Sequence, residues 1–372
     1  MERALKLAVV AGEASGDLHA AEVIRELKIL DPTLETFGIG GDLLAAEGMR
    51  VLHHAREMGI TGLFNVIRHL GMFRRIFAEL MSALTAEKPD AVLLVDYPDF
   101  NLRVARRCRA MGLRVIYYIS PQVWAWRRGR VREIARNVDH IIVIFPFEEE
   151  IYRKANVPVT YVGHPLIDEL RGIERSRHEP SLPLSVALLP GSRRSEIAAL
   201  LPAMLQAVRI LGQERGIDAF VVQAPTIAAS ELLELMRISG HYVRIVPHDG
   251  GSAVASADIA LSSSGTATLE CAVIGTPVIV MYRLSPATYW VARRLVRLPH
   301  FSLVNIVAGR QVVPELLQHD VTAERIVREV RILAEPETHA RVRSALDEVK
   351  ARLGEGGASR RAAQAIMDAV LS

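Results

Sequence analysis

Short runs of β-branched and aliphatic residues recur at 5–11, 91–95, 113–119 and 139–145, and again at 184–189, 218–223, 242–246, 258–262 and 277–282. Helical stretches separate them, and such alternation is the signature of parallel sheets. The rhythm fails at 168–183. There Asp168, Glu169, the charged run Arg171 to Arg177, and Pro180 and Pro183 replace periodic apolar positions, so the segment reads as a linker. Two doubly wound α/β domains are expected, residues 1–167 and 184–335. A mostly helical segment, 336–372, follows without another strand. No short repeat or low-complexity segment interrupts this plan.

A chain of 372 residues exceeds the usual size of one domain, which agrees with two separate cores. Half its residues are hydrophobic and 23% are charged, leaving little room for disorder. Cys108 and Cys271 are far apart, and no close-spaced Cys/His pair resembles a zinc site, so a reducing compartment is the simplest setting. Arg3 and Lys6 precede the apolar run Leu7–Ala11, but Glu13 and Asp17 end it before a signal-peptide core is complete; it reads as the first strand. No stretch approaches the roughly 20 apolar residues of a membrane span, so any membrane association is expected to be peripheral.

The formal net charge is only +3, yet residues 101–136 carry ten arginines against one acid, Glu133. Such a face meets phosphate, whether on anionic lipid or nucleic acid, or is simply a solvated helix surface. Apolar residues at 63, 66, 67, 70, 73, 77 and 80 form one helical stripe, and Phe64, Met72 and Ile76 lie off it near Arg68 and Arg75. A helix apolar around so much of its circumference reads as a lipid-contacting face or a lid over an acyl chain, through Phe64, Ile67, Met72, Phe73 and Ile76. Packing against a partner is the alternative.

Ligands of doubly wound sheets bind outside the carboxyl ends of the strands, and two such domains create a cleft, so motifs just after strands are the ones to inspect. Gly12-Glu13-Ala14-Ser15-Gly16-Asp17-Leu18-His19 follows the first strand and opens a helix. Small residues let a ligand approach the backbone, and free N–H groups at the helix start suit an anion or an oxygen-rich sugar. Ser15 or Asp17 acting only as a helix cap is the plain alternative. After the strand at 91–95 comes Asp96-Tyr97-Pro98-Asp99-Phe100-Asn101. A carboxylate there is placed to take a proton from an attacking sugar hydroxyl, and Asp96 is the candidate base; a turn carboxylate bonded to nearby backbone is its rival. Only one of Asp96 and Asp99 is expected to face the cleft. The run Ser120-Pro121-Gln122-Val123-Trp124-Ala125-Trp126-Arg127-Arg128 sets two tryptophans beside an arginine cluster. It suits a sugar or acyl face with phosphate held by guanidinium, or the tryptophans plug the core.

In the second half, Leu189-Pro190-Gly191-Ser192-Arg193-Arg194-Ser195-Glu196 brings N–H groups, a hydroxyl and a guanidinium to the end of a strand, as a diphosphate requires. Ser262-Ser263-Ser264-Gly265-Thr266-Ala267-Thr268-Leu269-Glu270 repeats the arrangement, with Glu270 one turn into the helix and able to accept from a ribose diol. Either alone is a common helix start. Together in one domain they point to a nucleotide diphosphate.

These motifs, in this order over nearly the whole chain, resemble the lipid-A-disaccharide synthase family. Phe301-Ser302-Leu303-Val304-Asn305, Ala308-Gly309-Arg310 and Val313-Pro314-Glu315-Leu316-Leu317-Gln318 extend the match. The resemblance implies a GT-B fold and an inverting transfer without metal or other cofactor. UDP-2,3-diacylglucosamine would donate its sugar to 2,3-diacylglucosamine 1-phosphate, giving a β-1,6-linked disaccharide and UDP. It makes Asp96, Arg193 and Asn305 the residues essential to activity. Gly191, Ser192, Arg193, Ser264, Gly265, Thr266, Glu270, Glu315 and Gln318 fall to the nucleotide, and Glu13, Ser15, Gly16, Asp17, His19, Gln122, Trp124, Trp126 and Arg127 to the acceptor. It further implies the cytoplasmic face of the inner membrane as partner, no nucleic acid, and a homodimer exchanging C-terminal segments. Val304 stands where the family commonly has Pro. Rival readings are a UDP-N-acetylglucosamine 2-epimerase or a peptidoglycan N-acetylglucosaminyltransferase of the same architecture, and a non-catalytic nucleotide- or lipid-binding protein.

Overall fold

The computed structural model describes residues 4–58, 70–124, 129–175, 179–180, 182–214, 216–285, 289–290 and 299–371. The chain forms two compact units, Met1–Pro165 with Glu355–Ser372, and Leu166–Gly354. The first holds seven strands: β1 (Lys6–Ala11), β2 (Glu35–Gly40), β3 (Arg50–His54), β4 (Ala91–Val95), β5 (Arg114–Tyr118), β6 (His140–Val143) and β7 (Val159–Tyr161). They lie in the order β3-β2-β1-β4-β5-β6-β7, with every pairing parallel. The second unit holds β8 (Leu184–Leu189), β9 (Ile217–Gln223), β10 (Arg244–Pro247), β11 (Ile259–Ser263), β12 (Val278–Tyr282) and β13 (Glu315–Leu317). Their order is β10-β9-β8-β11-β12-β13, again all parallel. Both sheets are therefore doubly wound, as the alternating pattern predicts.

The strands absent from the sequence reading are those with weak apolar signals. β2 carries two glycines, β3 carries two histidines, and β7 and β13 are three residues long. Gly38 in β2 shows why one of those glycines is there. Its φ is +144°, and an added Cβ would lie 2.0 Å from the Val9 carbonyl oxygen, so only glycine lets β2 close on β1. The β2–β3 register slips beside it, between Gly38 and Ile39.

In the first unit, Ala8, Val10, Val92, Leu94, Val115, Tyr117, Ile141 and Val143 pack with Ile76, Leu80 and Leu84 of the helix Leu70–Glu87, and with Leu102, Val104, Ala105 and Cys108 of the helix Pro98–Ala110. This corrects the lipid-contact reading for part of that helix. Ile76 is completely buried, because 76, 80 and 84 repeat every four residues and face the sheet. Met72 and Phe73 are half-buried against the same core. Phe64 and Ile67 lie outside the described residues.

The helix Arg194–Glu214 is long and apolar enough to cross a bilayer, which the sequence reading overlooked. Here Ile197, Leu200, Leu201, Met204, Leu205, Ala207, Val208 and Leu211 are buried within the second unit. The segment expected to be a linker is structured over its first half. Helix Leu166–Glu169 belongs to the second unit, and the buried Arg175 guanidinium donates to the carbonyls of Gly275 and Asp258, both at 3.2 Å. Desolvation keeps such a charge tied to every acceptor within reach.

The C-terminal segment also divides differently from the expectation. Helix Pro336–Arg352 stays with the second unit, and Arg352 donates to the last carbonyls of helix Leu303–Ala308, Val307 at 3.0 Å and Ala308 at 2.7 Å. Only 355–372 returns to the first unit. Its helix Ala358–Leu371 packs on helix Ala14–Leu30, with Ser359 donating to Glu22 at 3.1 Å and Arg361 to the Val162 carbonyl at 2.8 Å.

Replacing Gly38 with Ala is expected to destabilise the first unit by about 3 kcal/mol, since overpacking against backbone adds to an unfavourable φ. Denaturant unfolding of the full chain checks this through the midpoint of its earliest transition.

Candidate active site

In each unit the order of strands reverses at one place, and there neighbouring crossovers leave the sheet in opposite directions, opening a crevice at the carboxyl ends. In the first unit the reversal lies between β1 and β4, and in the second between β8 and β11. The loops that leave these four strands are the four motifs richest in candidate chemistry.

In the first unit, β4 ends in two consecutive left-handed residues, Asp96 and Tyr97, each with φ of 47°. Non-glycine residues rarely adopt this backbone, so the surrounding bonds must impose it. The buried Asn101 amide donates to the Asp96 carbonyl at 2.7 Å and the Val95 carbonyl at 3.1 Å, and the Tyr117 hydroxyl donates to the Asp96 carbonyl at 2.6 Å. The Tyr97 hydroxyl reaches the Met58 carbonyl at 2.8 Å, and its ring fills the space beside Gly12, where a Cβ would lie 2.6 Å from it. Thus the turn is fixed through its backbone, and the Asp96 carboxyl is left for other work. Burial pushes that carboxyl up to about 6, the Glu13 charge adds to the rise, and the Tyr97 backbone N–H opposes it. Asp99, by contrast, pairs with Arg130.

The acceptor motifs separate by burial. Glu13 and Ser15 are exposed at the start of helix Ala14–Leu30, and Gly16 is buried beneath them. Asp17 turns inward instead. Its carboxylate accepts from the amides of Gly41 at 2.6 Å, Leu43 at 3.1 Å and Leu44 at 3.2 Å, capping the helix Asp42–Ala46, so the assignment of Asp17 to the acceptor is corrected to a structural one. His19 is half-buried, and burial lowers it to about 4, leaving it neutral at physiological pH. Gln122 is exposed, whereas Trp124 is buried among Phe145 and Phe147, at ring-centre distances of 6.5 and 5.3 Å. Trp124 is thus a core residue, contrary to the acceptor reading. Trp126 and Arg127 lie outside the described residues. Among the described arginines of the cluster, Arg106 pairs with Glu133, Arg109 with Asp139 and Arg130 with Asp99, and Arg106, Arg132 and Arg136 line an open concavity of about 550 Å³.

In the second unit a cavity of about 480 Å³ lies over the reversal point, lined by Gly191, Ser192 and Arg193 after β8, and Ser264, Gly265, Thr266 and Glu270 after β11. Helices Arg194–Glu214 and Thr266–Ile274 both begin at its wall, so their unpaired N–H groups favour a bound anion. Glu196, which the sequence reading left unassigned, organises the first loop. It accepts from Arg193 at 2.8 Å and from the Ser192 amide at 3.2 Å, and Gly191 has φ of +119° with no room for a Cβ beside the same carboxylate. The Arg193 side chain is largely exposed. Glu270 is buried: one oxygen takes a bond from His248 at 3.3 Å, while the other, Oε1, has no hydrogen-bond partner among the described residues. The Glu270 bond raises the His248 pKa, and burial opposes it. His248 follows the short edge strand β10, and no local motif marks it in the sequence.

Asn305 is completely buried and does not line this cavity. Its amide nitrogen donates to Glu315 at 2.8 Å and the Val313 carbonyl at 3.0 Å, and its oxygen accepts from the Val312 and Val313 amides at 2.7 and 3.0 Å. Glu315 in turn accepts from the Phe301 and Ser302 amides at 3.2 and 3.0 Å, and the Phe301 carbonyl accepts from Ser264 at 3.2 Å. Asn305 and Glu315 thus brace the Ser264 loop through Phe301 and Ser302, and neither lines the cavity. Val304 is buried in the same helix, Leu303–Ala308, where its backbone is helical without a proline. Gln318 is also internal, with φ of 53° and its side-chain oxygen accepting from the Leu284 amide at 3.0 Å. Among the described residues no group of three or more His, Cys, Asp or Glu side chains forms a metal cluster.

Two doubly wound units, each with its polar loops at the reversal of strand order, define a protein of the GT-B architecture. Solved structures share the fold across the chain at low identity. The UDP-GlcNAc 2-epimerase from Neisseria meningitidis superposes with a TM-score of 0.65 at 14% identity, covering 98% of this chain and 100% of the other. A UDP-glucosyltransferase from Polygonum tinctorium gives 0.64 at 15% identity, covering both chains fully. The particular family follows from sequence. The family model described as lipid-A-disaccharide synthetase matches residues 7–370. The lipid-A-disaccharide synthases of Geobacter sulfurreducens and Myxococcus xanthus are 42% and 43% identical, over 98% of this chain and 97% of theirs. The chain belongs to the lipid-A-disaccharide synthase family.

The two residues Arg193 and Asn305 should part under substitution. Arg193→Ala is expected to change stability by less than about 0.5 kcal/mol, as an exposed side chain, while weakening UDP binding. Asn305→Ala, which strands several buried partners, is expected to destabilise by about 3 kcal/mol. Thermal melts alongside UDP titration distinguish the two effects.

Proposed function

We propose that the chain condenses UDP-2,3-diacylglucosamine with 2,3-diacylglucosamine 1-phosphate, releasing UDP and the β-1,6-linked disaccharide 1-phosphate. The observation that carries this reading is membership of the lipid-A-disaccharide synthase family across 98% of the chain, and Asp96, its backbone held just after β4, is the base that reaction needs. In its ionised form Asp96 takes the proton from the acceptor 6-hydroxyl. The oxygen bonds to the anomeric carbon as the bond to the diphosphate breaks on the opposite face, so configuration inverts without a covalent enzyme intermediate. Arg193 and the N–H groups opening helices Arg194–Glu214 and Thr266–Ile274 take the charge that develops on the departing diphosphate. Glu270 receives the ribose diol through its Oε1. Glu13, Ser15 and Gln122 supply polar contacts to the acceptor.

The chain works as a peripheral protein on the cytoplasmic face of the inner membrane. The concavity bordered by Arg106, Arg132 and Arg136 supports that reading, since guanidinium groups suit lipid phosphate. A homodimer exchanging residues 355–372 can reuse the contacts of Ser359 with Glu22 and Arg361 with Val162, which is the economy of domain swapping.

Incubation with the two acylated sugars is expected to yield disaccharide and UDP in equal amounts; release of UDP without disaccharide, or epimerisation of UDP-N-acetylglucosamine in its place, rules the proposal out. Asp96→Asn is expected to abolish turnover while UDP binding persists. The base must be ionised, so turnover in the parent chain should fall as pH drops through about 6. A rate–pH profile with no acid limb near that value removes Asp96 as the base.

A further inference from the structure

Below the Ser120–Trp124 loop lies a buried acid that takes no part in the transfer as described. Glu148 is 1% exposed, in the first turn of helix Pro146–Lys154. The Trp124 indole N–H donates to its Oε1 at 3.2 Å, and the Phe145 backbone N–H donates to its Oε2 at 3.3 Å. Beside it the Ser120 and Tyr152 hydroxyls share a hydrogen bond of 2.6 Å, and Phe145 stacks on Phe147 with ring centres 5.4 Å apart. The loop is thus gripped at both ends, at Ser120 and at Trp124, while Gln122 between them is exposed. An acid this deep is costly to keep unless its bonds hold something in place.

We infer that Glu148 is a positioning residue for the acceptor: by receiving the Trp124 indole and the Phe145 amide on separate oxygens, it fixes the loop that presents Gln122. This rests on the acceptor reading of that loop given above. The chemistry is specific to a carboxyl. Burial pushes Glu148 up to about 8, against the bonds from Phe145, Trp124 and Ser120; ionised, it accepts on both oxygens, and protonated it can turn its single O–H away from both donors and keep a lone pair on that oxygen, which the NH₂ of an amide cannot. An amide offers one accepting oxygen, so glutamine here must turn its NH₂ towards one of two N–H groups. Simple loss of packing does not produce that conflict, and removal of one of the two donors relieves it.

A double-mutant cycle with Glu148→Gln and Trp124→Phe tests this, read by hydrogen exchange of the 119–124 peptide and by steady-state kinetics in both substrates. Glu148→Gln alone is expected to speed exchange in that peptide and raise the acceptor KM by about fivefold, with the donor KM changed less than roughly twofold. In the Trp124→Phe background the same substitution should add less than about twofold, because the amide oxygen can then serve Phe145 unopposed. Unchanged exchange at 119–124, additive effects, or equal rises in both KM values overturn the inference. If the parent chain makes no disaccharide, the functional proposal fails, and the exchange arm of the cycle still decides whether Glu148 anchors the loop.

Discussion

Everything in this molecule depends on where strand order reverses. A parallel sheet whose crossovers all ran one way would offer no crevice; reversal between β1 and β4, and between β8 and β11, separates neighbouring loops at the carboxyl edge. Beside these crevices the sequence places polar groups: the Asp96 carboxyl in one unit, and two helix N-termini with the Arg193 guanidinium in the other. The chemistry is modest in its parts. It is demanding in their placement, and the parallel ladders supply that placement.

A recurring device in the two units is the buried or half-buried carboxylate that collects backbone amides. Asp17 gathers three at the start of helix Asp42–Ala46, Glu315 takes two before helix Leu303–Ala308, and Glu148 takes one at its own helix start together with an indole. Such groups are satisfied by several short-range donors, and each fixes a loop that would otherwise wander. Asp96 is the counterpart. Its backbone is restrained on several sides, while burial and then the Glu13 charge push its carboxyl above the usual carboxylate range against the bond from the Tyr97 amide.

Fold class was legible in the sequence because the central strands of parallel sheets are apolar throughout, as at Val92–Val95 and Val186–Leu189. β3 and β13 escaped notice because edge strands need less hydrophobicity and little length. Motif positions were legible for a related reason: loops after central strands must be small, polar or glycine-rich. The roles of individual residues were harder to read. Asp17 and Ser15 are two positions apart in one motif, yet one faces inward and the other outward; only the partner amides of residues 41–44, distant in sequence, decide it. Asn305 and Trp124 likewise look available in a motif and prove to be internal. Ile76 lies off the stripe that runs through 63–80, yet its spacing to Leu80 and Leu84 puts it on the core face. His248 and Glu196 were missed because their importance comes from a neighbour, not from their surroundings in the chain.

The return of residues 355–372 to the first unit makes the second unit an insertion within the first. A ribosome delivers the chain from its N-terminus, so the unit begun first is completed last. Until the final helix emerges, the apolar face of helix Ala14–Leu30 that Ala358–Leu371 will cover stays open. That face of the newly made chain therefore stays uncovered until residues 355–372 have been synthesised.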